Sequence, residues 1–231
     1  SDLVMCSVDD SGAAGFSKIP EVSCFVIPKD MDFGVGSAII TSYNTSYGAL
    51  TRRANLQAGE TLLVHGAAGA VGMAAVEIGK AMGATVIAVA GGEKHCETAK
   101  RHGADHVIDH RREKFRDVVM DLTNGKGVNV VYACGEIPNI AANTLLLKNA
   151  SAMGFNLGHF FGWSPGGSRA QYIDALDEMA NGVLKLYSQG KINPEVGARF
   201  PLERFNDALD AVINRQVDGK CVVEMGDADY V

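Results

Sequence analysis

The stretch HGAAGAVG, residues 65 to 72, limits the fold more than any other part of the chain. Three glycines and small apolar residues directly follow the β-rich run Thr61-Leu62-Leu63-Val64 and directly precede a helical repeat. After the glycines, Val71, Ala74, Ala75, Ile78 and Met82 fall at offsets 0, 3, 4, 7 and 11 and share one face of a helix. A strand that turns into a helix through small residues offers an anion backbone N–H groups and the positive end of the helix dipole. Written Ala67-x-Gly69-x-x-Gly72, the stretch is the dinucleotide fingerprint GxGxxG with alanine in the first place. On this reading Gly69 admits a pyrophosphate, Gly72 lets helix and strand pack, and Ala68, Gly69, Ala70 and Val71 form the cradle. The competing reading is a tight turn with no ligand.

The surrounding pattern alternates short β-rich runs with helical periodicity, as βαβ units of a parallel sheet do. Strands are expected at 61–65, 84–90, 104–109 and 128–133, with helices at 94–102 and 113–123 closed by Gly103 and Gly125. Residues 154–168 read as a loop before a helix of roughly 20 residues starting near Ser168. Phe205, Ala208, Leu209, Val212 and Ile213 mark a further amphipathic helix, and Cys221 to Glu224 the last strand. The fold class is therefore α/β, with a Rossmann-type, doubly wound parallel sheet.

Composition removes several partners. A net charge of -6 disfavours nucleic acid, and no apolar run approaches the 18 or so residues of a membrane span. Five scattered cysteines without a CxxC suggest neither a disulfide framework nor a zinc knot, and are read as small buried hydrophobes. The first residues, SDLVMCSVDD, lack signal-peptide character, so a cytoplasmic protein is expected, with the mitochondrial matrix left open.

Cofactor choice should show after the second strand, where an NAD enzyme carries an acid for the ribose 2'-hydroxyl. Here the order is Ala90-Gly91-Gly92-Glu93-Lys94. Glycine in place of the acid, with a base just beyond, points to NADP(H), with Gly91 and Lys94 at the adenosine end. His110, Arg111 and Arg112 are expected to join them. The plain alternative makes Lys94 an exposed first-turn residue.

The run NTSYGALTRRANLQAGETLLVHGAAGAVGMAAVEIGKAMGATVIAVAGGEK resembles the zinc-independent quinone oxidoreductase branch of the medium-chain dehydrogenase/reductase superfamily, as do GADHVIDHR, GEIPNIAANTLLLKNASAMG, FPLERFNDALDAV and the closing GKCVVE. The resemblance implies a Rossmann domain inserted in a GroES-like β-rich catalytic domain. It also implies NADPH in the cleft, hydride transfer to a quinone or an α,β-unsaturated carbonyl (enone), and a homodimer. The resulting division is a remnant of the GroES-like domain at 1–39, the Rossmann domain at 40–189 and a return to the catalytic domain at 190–231. SDLVMC resembles the middle of the GroES-like domain, so that domain is expected to be incomplete. Between about Tyr132 and Gly135 an αβ unit on the order of 25 residues is expected to be missing.

The family also implies that Thr45 touches the nicotinamide side, against helix capping or packing as the local reading. Gly154 and Phe155 would line the cleft, with core packing the alternative for Phe155. In the family's zinc alcohol dehydrogenases a cysteine ligand begins the segment that here starts at Thr41, so no metal is expected. The spacing of His102, His106 and His110 is a coincidence of a helix followed by a strand. Tyr43 and Tyr47 are assigned to helix packing, Lys220 to the exposed surface, and no catalytic residue is nominated. Two other functions remain open: a nucleotide-binding shortened protein without turnover, and an enoyl-thioester reductase.

Overall fold

The computed structural model describes residues 2–8, 12–14, 16–134 and 139–226. The expected join reaches Gly135 and so falls partly outside the described residues.

Two short strands, β1 (Val4–Cys6) and β2 (Cys24–Val26), pair antiparallel. Residues 33–53 then form one unbroken helical stretch: α1 (Phe33–Ala38), a π-helical turn Ile39–Tyr43, α2 (Asn44–Gly48) and a second π-helical turn Ala49–Arg53. Asp32 caps it by accepting from the Val35 N–H. The expected βαβ series follows as β3 (Thr61–His65), α3 (Ala70–Ala81), β4 (Thr85–Ala90), α4 (Glu93–Arg101), β5 (His106–Asp109), α5 (Phe115–Leu122) and β6 (Val130–Tyr132). After it come α6 (Ala142–Lys148), α7 (Leu157–Phe161), α8 (Ile173–Ser188), β7 (Val196–Pro201), α9 (Phe205–Ile213) and β8 (Lys220–Glu224).

The central sheet runs β5-β4-β3-β6, all parallel. Side-chain alternation divides its strands between two cores. Leu62, Val64, Val86 and Ala88 join the large core with α2, α3 and α8, whereas Leu63, Ile87, Val89 and Ile108 face Val119 of α5. Burial on both faces explains why these strands read as continuous apolar runs. Each fully buried Leu, Ile or Val contributes roughly 1.5–3 kcal/mol relative to exposure.

The sheet stops early. Among the described residues no strand pairs with the outer edge of β6, and Val131 is 57% exposed. Helix α6 buries no side chain, and its Leu146 and Leu147 are each 78% exposed. An αβ unit inserted before α6 would cover this edge.

Several boundaries differ from expectation. The 154–168 segment is not all loop, because Asn156 caps α7 through the Gly158 N–H. The helix expected near Ser168 begins at Ile173, after a 3-10 turn at Arg169–Gln171. β7 had no strong alternation to announce it; it pairs parallel with β8 across a bulge at Val196/Ala198. The five cysteines are partly buried rather than sealed in the core.

Candidate functional site

The glycine loop connects β3 to α3. Gly69 stands at the N-cap of α3 with φ −77° and ψ 158°, and no side chain caps the helix. The first helical N–H groups have no intrahelical partner, and the Gly219 backbone bridges to Gly69 beside them. The two fingerprint glycines are required for different reasons. A Cβ on Gly72 would lie 2.1 Å from the Gly66 carbonyl oxygen, so helix and loop approach too closely for any side chain. A Cβ on Gly69 would meet only that same oxygen, at 3.5 Å, an ordinary contact. Neither packing nor backbone strain within the chain demands glycine there.

Around the loop stand groups that sequence reasoning did not place there. The Cys134 thiol lies 3.5 Å from the His65 carbonyl oxygen, and burial pushes this thiol up. Ser46 donates to the Val71 carbonyl at 2.7 Å and lies 3.2 Å from the Tyr132 hydroxyl. Burial pushes the Tyr132 phenol up to about 12. Their proximity depends on the crossing of α2 over α3, for which no local pattern is a signal.

The second cluster lies at the end of β4. A Cβ on Gly91 would sit 2.7 Å from His110 Nε2 and 3.1 Å from Arg111 Nε, so both side chains lie directly over this glycine. Gly92, at φ +93°, donates its N–H to Asp109, which also accepts from the Arg111 N–H. These two bonds hold the Asp109 carboxyl below its ordinary range. Burial, with His110 second, pushes the His65 imidazole down, and the His65 ring meets Phe115 edge-on at 4.9 Å. The arrangement is a glycine floor with bases above it, suited to a phosphate monoester.

The other candidate residues make contacts within the fold. Lys94 does not turn to Gly91; its Nζ lies 3.2 Å from Asp218. Thr45 caps no helix end: its hydroxyl donates to the Thr41 carbonyl at 2.7 Å, one turn back within the 33–53 helix. Gly154 has open space around it, and its carbonyl accepts from Arg53. The Phe155 ring packs on Gly48 and lies 5.3 Å from Phe160. Lys220 is not a surface lysine, for it starts β8 half-buried and burial pushes its amine down.

Behind α3 lies a buried polar chain. Tyr43 donates to Glu77 at 2.6 Å, Glu77 meets His102 at 2.7 Å, and His102 meets Glu195 at 2.8 Å. Asn193 adds a backbone N–H to Glu77, and Arg101 binds Glu195. Burial alone would push His102 down, but the two carboxylates outweigh it and the net shift is upward. Burial, then Glu77, holds the Tyr43 phenol protonated. This chain ties the 33–53 helix, α3, the end of α4 and the segment before β7 together. Its sequence signal is Glu77, a lone acid in the apolar run of α3. Among the described residues no three His, Cys, Asp or Glu side chains gather as metal ligands.

A cavity of about 400 Å³ opens at the other end of the sheet, among Thr61, Thr85, His106, Thr123, Lys126 and Asn129. Ligands of parallel sheets bind outside the carboxyl ends of the strands, so the glycine loop and not this cavity is the candidate site.

Residues 70–153 match the family model described as zinc-binding dehydrogenase. A quinone oxidoreductase-like protein 2 homolog of Nematostella vectensis is 34% identical over 239 positions, covering 92% of this chain and 63% of that protein. About 213 of the 231 residues enter that alignment (92% of 231), so about 26 of its 239 positions face no residue here. Quinone oxidoreductase-like protein 2 of Bos taurus is 31% identical, covering 93% and 68%. Among solved structures, a probable oxidoreductase from Mycobacterium abscessus superposes with a TM-score of 0.82 at 33% identity, covering 96% and 72%.

Proposed function

Because the chain belongs to the quinone oxidoreductase branch of the medium-chain dehydrogenase/reductase superfamily, we propose that it binds NADPH at the glycine loop and passes hydride to a quinone or an enone without zinc. The observation that carries this reading is Gly69, a glycine that the fold itself does not require, at an uncapped helix N-terminus. The N–H groups of Ala70 and Val71, with the loop at Ala68 and Gly69, take the pyrophosphate. Gly91 forms the floor of the 2'-phosphate site, Arg111 supplies its positive charge, and the His110 ring lies beside it. When bound, the nicotinamide supplies the hydride, and the protein's task is to hold it within reach of the acceptor carbon. Thr45, Gly154 and Phe155 are assigned to the nicotinamide side of the cleft. The zinc-free reading rests on Thr41 at the place of a cysteine ligand and on the lack of a CxxC. A cytoplasmic homodimer is part of the same proposal.

One observation favours a second reading, nucleotide binding without turnover: among the described residues the sheet ends at β6, where the nicotinamide half of a dinucleotide site continues. Titration with NADPH and NADH, followed by NADPH oxidation with quinones, enones and acyl-thioesters, separates the readings. Preferential NADPH binding with quinone or enone turnover supports the first, and turnover of thioesters alone would replace it with an enoyl reductase. Binding with every acceptor inert leaves the second, and no binding of either nucleotide refutes both.

A further inference from the structure

Asp218 and Gly219 lie against the N-terminal ends of α4 and α3. Gly219 forms a parallel β-bridge with Gly69 at the N-terminus of α3. One residue earlier, Asp218 reaches the first turns of α4: its carboxylate lies 3.2 Å from Lys94 Nζ, 3.2 Å from His95 Nε2 and 3.4 Å from the Thr98 hydroxyl that donates to it. The other nitrogen of His95, Nδ1, is 3.0 Å from the Gly91 carbonyl oxygen. The His95 ring therefore links the glycine floor directly to the Asp218 carboxylate. The Asp218 side chain is only 10% exposed, whereas that of Lys94 is 72% exposed and free to swing.

Two carboxylates border the basic cluster, and they differ in what they bind. Asp109 is held by the backbone N–H groups of Gly92 and Arg111, which fix the turn. Asp218 meets only side chains, two of them potential phosphate ligands. Its backbone is wedged: a Cβ on Gly197 would lie 1.6 Å from the Asp218 carbonyl oxygen. The carboxylate is thus presented from a rigid strap, and Lys94 is the partner able to leave.

We propose that Asp218 is a cofactor-specificity determinant, a resident anion on Lys94 and His95 with which the 2'-phosphate of NADPH competes and the 2'-hydroxyl of NADH does not. This rests on the assignment of the Gly91 floor to the adenosine end of a dinucleotide. The carboxylate lowers the affinity for NADPH while leaving NADH untouched, so removing its charge widens the preference.

The test compares wild type, Asp218→Asn and the double variant with Lys94→Gln, titrated with NADPH and NADH. Asp218→Asn should tighten NADPH binding by roughly threefold to fivefold, the upper range for an ion pair with one exposed partner, and move NADH by less than about twofold. Adding Lys94→Gln should cancel the gain. In the wild type, 2',5'-ADP should shield the exposed Lys94 amine from acylation and 5'-AMP should not, a readout that needs no variant to fold. Unchanged or weaker NADPH binding in Asp218→Asn, an equal gain for both nucleotides, or acylation of Lys94 that ignores 2',5'-ADP would overturn the proposal while leaving the cofactor site standing. If neither nucleotide binds any of the proteins, the cofactor site itself is refuted and this inference with it.

Discussion

Gly69 and Gly72 stand three residues apart, yet a methyl group added to each should damage different properties. At Gly72 the new Cβ would lie 2.1 Å from the Gly66 carbonyl oxygen, 2.8 Å from its carbonyl carbon and 2.9 Å from the Ala67 Cα. All three are backbone atoms, so no rotamer change relieves the overlap, and loop or helix must retreat by roughly 1 Å to regain normal contact. Overpacking of this kind costs about 1–3 kcal/mol. At about 2–4 °C per kcal/mol for a chain of this size, Gly72→Ala should melt about 2–12 °C below wild type. At Gly69 the added atom meets one oxygen at 3.5 Å, and φ is already −77°. Alanine is the poorer N-cap, but it also restricts the unfolded chain by about 0.4–1 kcal/mol. The two effects oppose, and Tm should stay within about 2 °C of wild type. The methyl group of Gly69→Ala would occupy the approach of the pyrophosphate, so NADPH affinity should fall by about tenfold or more. Thermal melts and NADPH titrations of the three proteins decide the matter. Wild-type affinity in Gly69→Ala would refute the cradle, and a wild-type melt for Gly72→Ala would refute the close approach of helix and loop.

Removing the cation from the buried chain behind α3 by His102→Ala leaves Glu77 with 7% side-chain exposure and no charged partner. Urea unfolding should show a loss of about 3–5 kcal/mol, and a loss below about 1 kcal/mol would mean that Tyr43 and Asn193 satisfy the carboxylate alone. The same histidine sets a pH dependence. Its folded pKa is raised from 6.5, so its contribution is complete below 6.5 and declines as pH rises through the folded value. Glu195 and Asp105 are lowered from 4.5 and 3.8, so theirs are complete above those values and decline as pH falls through the folded ones. Stability should therefore be greatest between these windows, and His102→Ala should flatten the alkaline decline; an unchanged alkaline limb counts against the assignment. At the open edge, Val131→Lys should suppress concentration-dependent self-association in sedimentation experiments, whereas association equal to wild type would show that the β6 edge is already covered.

The Rossmann core was legible because its signals are local. The strand at Thr61–His65, the helical face from Val71 and the glycines ending α4 and α5 each follow from neighbours within one or two turns. Helix α9 contains the periodic residues Phe205 to Ile213 that announced it. The 33–53 helix gave a weaker signal, since Gly34, Gly36, Gly48 and several Ser and Thr residues dilute its propensity and two π turns break its period. Its formation depends on tertiary packing against α3 and α8. Tyr47 lies over Gly182, and Phe155 with Met179 over Gly48. The site divides in the same way. Gly91 and His110 were legible from their positions at strand ends. The turn of Lys94 toward Asp218 and the half-burial of Lys220 depend on a return of the chain more than 100 residues later, which no local pattern encodes.

Dinucleotide sites of this class are built from two mononucleotide halves that meet where the strand order reverses. Here that reversal falls between β3, whose next neighbours are β4 and β5, and β6 on its other side. The β4–β5 side is furnished: Gly91 lies beneath the His110 and Arg111 side chains, and Asp109 fixes the turn. The β6 side offers Ser46, Tyr132 and Cys134 close to the loop, and then an edge with no described strand beyond it. Affinity for an adenosine phosphate and orientation of a reacting ring therefore rest on different parts of the chain. The first part is built from β3, β4 and β5, whose residues are packed on both faces. The second draws on the groups beside β6, namely Ser46, Tyr132 and Cys134, and on the sheet edge at Val131, which no described strand covers. Binding can thus survive in this chain under conditions where turnover does not, and the two must be measured separately before either is taken as evidence for the other.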